Sequence, residues 1–293
     1  MLYFLENESL KILINSLGAE VKSVFGKKNN FEYIYQGNPE LWRGGTYHVF
    51  PICGRLYEGK YTYKGKEYQM GIHGFSRDLE HTLVKKTDKE LVFTLKPSKE
   101  TLEIYPFDFT LTTNFILNEN TLLTRYTIFN PSKETLRFSI GGHPGFNIPL
   151  EKGIKDEEHY LEFDNVASPK AYEFSPSAFR TGKMKDYPLK DGRIINFSHE
   201  IFGDGGIFLT HMDSSVSLKA KNSNRFVKIS YTNASVLGFW HTPNTNAPFI
   251  CIEPWQGIPS LDGKIDDFEN KEKFVHLDEN KSFTLEYSIE VNE

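Results

Sequence analysis

Cysteine is scarce: Cys53 and Cys251 are the only two in 293 residues, and each sits inside an apolar run instead of a paired motif. That usage excludes a disulfide framework or a zinc knot as the organising element, and both thiols read as inert core groups. No apolar run approaches the roughly 20 residues that a membrane-spanning helix needs. The N-terminus, Met1-Leu-Tyr-Phe-Leu-Glu-Asn7, turns polar too soon for a secretory signal, so the expected location is cytoplasmic. Blocks of positive charge are missing too. With 34 Lys and Arg against 39 Asp and Glu the formal net charge is −5, which offers no surface to nucleic acid or to an anionic membrane and favours a small-molecule partner. Long amphipathic helices, repeats, low-complexity tracts and a clean interdomain linker are all lacking.

What is present is aromatic and strand-like. The 24 Phe and 15 Tyr favour strands and stacking surfaces over a helix bundle. Alternation marks Ser9–Asn15, Gly18–Phe25 and Phe31–Gln36 as strands, then a hairpin over Gly59–Met70 with a Lys-Gly turn. Further strands are expected at His81–Lys86, Glu90–Leu95, Asp108–Leu117, Thr121–Asn130 and Leu136–Ile140. Between Glu151 and Glu200 the pattern loosens to short pieces at Tyr160–Phe163 and Ala171–Phe174 and one helical turn near Ser175–Phe179. Strands resume at Gly206–His211, Ser215–Ala220, Phe226–Tyr231 and Val236–His241, and the chain closes on Ser282–Val291. The simplest architecture is all-β: one large twisted antiparallel β-sandwich spanning residues 1–293 as a single domain. Its edges leave monomer and homodimer equally open.

The stretch Ala247-Pro-Phe-Ile-Cys-Ile-Glu-Pro-Trp-Gln-Gly257 stands out, because Glu253 follows a buried-looking apolar run. A buried carboxyl is hydrogen-bonded, paired, or used as an acid or base. Pro254 is expected to stop the strand and Trp255 to offer an apolar face at a pocket rim. Histidines also gather where strands run out, in glycine-rich settings that let backbone approach a ligand: His73 in Gly71-Ile-His-Gly-Phe75 and His143 in Gly141-Gly-His-Pro-Gly-Phe-Asn147. The aperiodic segment from Asn38 to Arg55 carries Trp42, Tyr47, His48 and Phe50, a composition typical of binding loops.

Four of these segments, Gly54-Arg-Leu56, His73-Gly-Phe75, Gly141–Asn147 and Ile250-Cys-Ile-Glu-Pro254, resemble in order and spacing the motifs of the aldose 1-epimerase (galactose mutarotase) family, with a LacX-like flavour around Trp240 and Trp255. The resemblance implies the galactose mutarotase-like supersandwich, no cofactor, no metal, and a hexose substrate. It implies Glu253 as base, His143 as acid, and His73 and Arg55 as hydrogen-bonding partners of the sugar. Trp240, Trp255, Phe75 and Phe146 become candidate stacking platforms for a pyranose. The family's substrate-binding aspartate has no clear counterpart; Asp204 and Asp213 are the candidates and neither is assigned. Three other readings stay open: a hexose-phosphate epimerase with Arg77 meeting the phosphate, a non-catalytic sugar sensor, and a metal enzyme with His73, His143 and Glu253 as a two-His-one-carboxylate set.

Overall fold

Alternating burial runs along most strands. Thr110–Asn118 and Thr121–Phe129 bury every second residue on either side of a turn at Asn118–Thr121, which pairs them over their whole length. The computed structural model describes residues 1–203 and 205–292. Two large sheets result, an 11-stranded one and a 9-stranded one, every pairing within them antiparallel. Their facing sides share one core that includes Ile12, Phe93, Phe109, Phe146, Ile250, Ile252 and Ile289. The C-terminal strand Ser282–Asn292 lies inside the smaller sheet, between Phe226–Thr232 and Thr121–Phe129. No helix is long and apolar enough to cross a membrane.

Several local expectations change. Ser175–Phe179 is the turn of a hairpin joining Lys170–Phe174 to a strand at Arg180–Asp186 that polar composition concealed. A short helix, Lys99–Ile104, forms where Ser98 and Thr101 make a capping box. Thr46–Val49 is a fully buried strand, which is why it lacks the alternation of a half-exposed one.

The more consequential difference concerns proline. Pro254 does not end its strand, which runs Phe249–Gln256, and the strand Ile140–Asn147 continues through Pro144. These two strands are neighbours at the centre of the large sheet. Their paired positions run from Ile140↔Gln256 and Gly141↔Trp255 to Gly145↔Cys251 and Asn147↔Phe249, with none in between. A proline supplies no N–H to a ladder, so the seam opens where each strand carries one. The outer neighbours hold the opened stretch flat: Gly142, His143 and Pro144 pair with His48, Tyr47 and Thr46, and Pro254 and Glu253 pair with Leu237 and Gly238. The antiparallel register that brackets the window, Gly141 against Trp255 and Gly145 against Cys251, puts His143 opposite Glu253 in its middle.

Candidate active site

On each of the two central strands, odd-numbered side chains face away from the sandwich core, so Cys251, Glu253 and Trp255 share the outer face with His143. His143 Nε2 lies 3.5 Å from Glu253 Oε2, and the side chains are only 5% and 1% exposed. Neither carboxyl oxygen has a hydrogen-bond partner, and His143 Nδ1 has none either. Burial raises the Glu253 carboxyl well above the ordinary carboxylate range. The same burial, helped by the charges of Arg77 and Arg43, lowers His143 to about 3. An unpaired acid in such a place costs several kcal/mol of desolvation or stays protonated, a cost characteristic of functional sites.

A cleft of about 450 Å³ opens above the pair. Trp42, at 5.3 Å and 24°, and Tyr47, at 4.8 Å and 27°, stack on the His143 ring and fix its plane. Trp240, Phe174, Phe208 and Pro243 complete the apolar walls. Gly238, the cross-strand partner of Glu253, keeps the far side open; a Cβ there would come within 2.7 Å of the Phe208 ring. His73 enters from the adjoining loop, its ring 5.2 Å from that of His143. The backbone N–H of Gly54 donates to His73 Nδ1 at 3.1 Å, and burial holds His73 well below its ordinary value, so its Nε2 carries the proton and is left to donate. Arg43, Arg55 and Arg77 also line the cleft.

The structure thus brings Glu253, His143, His73, Arg55, Trp240 and Trp255 to one cavity. Trp255 serves it from beneath: it is 2% exposed and its Nε1–H donates to the Gly142 carbonyl at 3.1 Å, bracing the open seam. Phe75 and Phe146 are corrections. Phe146, on the even-numbered face, points into the sandwich core, and Phe75 packs edge-on against Phe50 and near Tyr105 and Phe109, so neither lines the cleft. Trp42, Tyr47 and Arg43 line the cleft as well; the aromatic density of the Asn38–Arg55 segment marks it as a binding loop but does not separate these three from their neighbours. Asp213 accepts a hydrogen bond from the Asn165 backbone at 2.7 Å and does not line the cleft, and Asp204 lies outside the described residues. The two-His-one-carboxylate grouping also changes: among the described residues the donors that converge within 4.8 Å are His143, Cys251 and Glu253, while His73 has given its Nδ1 to Gly54.

Directly behind the His143 strand the core holds a second polar group. His48 Nε2 lies 2.7 Å from Ser76 Oγ, which lies 3.2 Å from His81 Nε2. Burial lowers His48 well below its ordinary value and His81 to about 4. With His73 and His143, four imidazoles are neutral when folded yet protonate near 6.5 when unfolded. Their contribution is fully present above that value and is lost as pH falls toward the folded values. Glu253 and Glu32, raised by burial, act in the opposite sense and are fewer. Thermal denaturation is therefore expected to show Tm falling between pH 6.5 and 4.5, at up to about 1.4 kcal/mol per pH unit for each uncompensated histidine. A flat Tm over that range would contradict the assignment.

Comparison with known proteins follows this geometry closely. The family model described as Aldose 1-epimerase matches residues 1–267. The plasmid-encoded protein LacX of Lactococcus lactis subsp. lactis is 31% identical over 288 residues, covering 94% of this chain and 96% of the relative. Among solved structures, a galactose mutarotase related enzyme from Lactobacillus acidophilus superposes with a TM-score of 0.94 at 32% identity, covering 100% of this chain and 98% of the other. A galactose mutarotase-like protein from Lactobacillus casei ATCC 334 gives 0.94 at 26% identity, with both chains fully covered.

Proposed function

Because this chain belongs to the aldose 1-epimerase family, we propose that it interconverts the α and β anomers of a hexose, with Glu253 as base and His143 as acid. The observation that carries this reading is the 3.5 Å approach of His143 Nε2 to Glu253 Oε2 on a cleft wall, with both carboxyl oxygens unpartnered. Mutarotation needs one group to take the proton from the anomeric hydroxyl and another to protonate the ring oxygen. Those two oxygens share a carbon, so the atoms serving them must themselves be neighbours. The ring then opens to the aldehyde, the C1–C2 bond turns, and the roles reverse on reclosure.

The proton count suits this cycle. Burial favours a neutral pair, the proton resting on Glu253 and His143 uncharged. Moving that proton to His143 gives the working form, carboxylate and imidazolium, without exchange with solvent. A hemiacetal stabilises this form, since its hydroxyl donates to the carboxylate and its ring oxygen accepts from the imidazolium. His73 Nε2–H is placed to donate to a sugar oxygen, and the half-buried Trp240 is the platform for a pyranose face.

Polarimetry of freshly dissolved α-D-glucose and α-D-galactose tests the reading. The wild type is expected to speed relaxation and His143→Asn to slow the catalysed rate about a hundredfold or more. Unchanged relaxation by the wild type with every hexose and hexose derivative tried would remove the enzymatic reading and leave a sugar-binding one. The pH profile gives a second check. Activity requires one proton on the pair, so kcat/KM should fall on the alkaline side as the raised Glu253 carboxyl ionises, and Glu253→Gln should abolish that limb.

A further inference from the structure

Cys251 has no part in the acid–base chemistry, yet it belongs to the same cluster of side chains. It stands two residues before Glu253 on one strand, so the two side chains share a face, and its cross-strand partner Gly145 has no side chain to lie over it. A Cβ at Gly145 would come within 2.4 Å of the Trp42 ring and 3.4 Å of Cys251 Sγ; the bare glycine lets Trp42 close over the thiol. With His143 opposite Glu253, three different donors meet. An imidazole nitrogen of His143, Cys251 Sγ and a Glu253 carboxyl oxygen all lie within 4.8 Å of one another, and the His143–Glu253 edge measures 3.5 Å. All three residues are buried, and neither carboxyl oxygen has a hydrogen-bond partner.

We propose that His143, Cys251 and Glu253 form a binding site for a borderline-soft divalent cation, Zn²⁺, and that the ion inhibits the protein by occupying its acid–base pair. The inhibition rests on Glu253 and His143 acting as that pair; the binding does not. Ligand atoms around a tetrahedral zinc stand roughly 3.3–3.8 Å apart, so the His143–Glu253 edge already has the right length and the thiol needs to close by no more than about 1 Å. Zn²⁺ displaces the thiol proton of Cys251 and the carboxyl proton of Glu253, both of which leave to solvent, and takes the Nε2 lone pair of neutral His143. One thiolate and one carboxylate then balance the doubly charged ion, which a buried charge requires. A sulfur and a nitrogen donor select zinc over magnesium and calcium, whose shells are built from oxygen. His73 stays outside the set, its Nδ1 held by the Gly54 N–H, and the fourth position faces the cleft, through which the ion enters and from which a water completes the tetrahedron. Resident zinc sites orient each imidazole by a second hydrogen bond, which His143 Nδ1 lacks among the described residues; the stacked rings of Trp42 and Tyr47 fix its plane instead. The ion is therefore a blocker and not a cofactor: it takes the same lone pair and carboxylate that a hemiacetal needs.

Titrations of the metal-free full chain with Co²⁺ and then Zn²⁺ test the binding without reference to turnover. Co²⁺ is expected to give a thiolate-to-metal charge-transfer band, and one equivalent of Zn²⁺ to abolish it with a Kd of about 1 µM or tighter. Cys251→Ala should remove the band and weaken Zn²⁺ binding at least about thirtyfold, whereas Cys53→Ala, which deletes the other thiol, should keep both; circular dichroism checks that each variant is folded. Anomer exchange of D-glucose and D-galactose is followed alongside. With sugar below its KM, Zn²⁺ at ten times its Kd should lower the catalysed wild-type rate about tenfold, and a chelator should restore it. A missing charge-transfer band, or a zinc affinity that Cys251→Ala leaves unchanged, would overturn the site. Zinc bound as described by a protein that accelerates no sugar would sink the catalytic reading and leave the metal site standing. Anomer exchange that continues undiminished, or rises, with the site filled would overturn the inhibition.

Discussion

Replacing Glu253 with glutamine is expected to slow catalysed anomer exchange by about a thousandfold, within the range that one general acid or base supplies. The same substitution is expected to leave Tm unchanged or to raise it. Glutamine preserves the side chain's volume, and neither carboxyl oxygen accepts a hydrogen bond that the change would break. What it removes is a buried ionisable group whose carboxyl burial has raised well above its ordinary range, a group that costs stability at neutral pH. Loss of rate with retained or increased stability separates a catalytic carboxyl from a structural one, for which the two would fall together. Retained rate would place the base elsewhere.

The second large effect belongs to Gly74, and it falls on stability. His73 and Gly74 are consecutive left-handed residues, with φ of 64° and 73°. The chain needs this turn because Phe50 N–H donates to the His73 carbonyl while Phe75 N–H donates back to the Phe50 carbonyl. A Cβ on Gly74 would lie 2.2 Å from that Phe50 oxygen and 2.7 Å from Pro51 Cδ, neither of which can move aside as a flexible side chain would. Gly74→Ala is expected to destabilise the fold by about 3 kcal/mol or more, read as a shift in the denaturant midpoint. Gly65, in the exposed hairpin turn at φ 75°, has nothing within 4 Å of a built Cβ. Its alanine variant should lose only about 1 kcal/mol, the backbone part alone. Equal losses at the two positions would show that the close approach at Gly74 does not matter. The glycine after His73 is thus explained by what lies against it.

Much of this was legible from residues, for identifiable reasons. Strands exposed on one side announce themselves by alternation, and the Thr110–Asn118 and Thr121–Phe129 pair was placed almost to the residue. Glu253 drew notice because a carboxyl in an apolar run needs a partner, and His143 because of its glycine-rich setting. Strands buried on both sides carry no such signal, which hid Thr46–Val49 and, with it, the role of Tyr47 beside His143. Phe146 faces the core because on a strand each successive residue points the other way, and no sequence pattern around Pro144 shows which face is which. The prolines were the subtlest case. Each alone reads as a strand terminator, and only the pairing of the two strands shows that together they open a window in a continuous sheet. The charge balance of the cleft was also out of reach, since Arg43, Arg55 and Arg77 converge from separate loops.

The central claim is that Glu253 and His143 work as one unit on one hemiacetal carbon. Rates of anomer exchange for the wild type, Glu253→Gln, His143→Asn and the double variant test it most directly. If the pair acts together, the double variant is no more than slightly slower than the slower single variant, because removing either partner already disables the proton transfer. If the two losses multiply, the residues act independently, and the acid–base pairing read from the open seam is wrong.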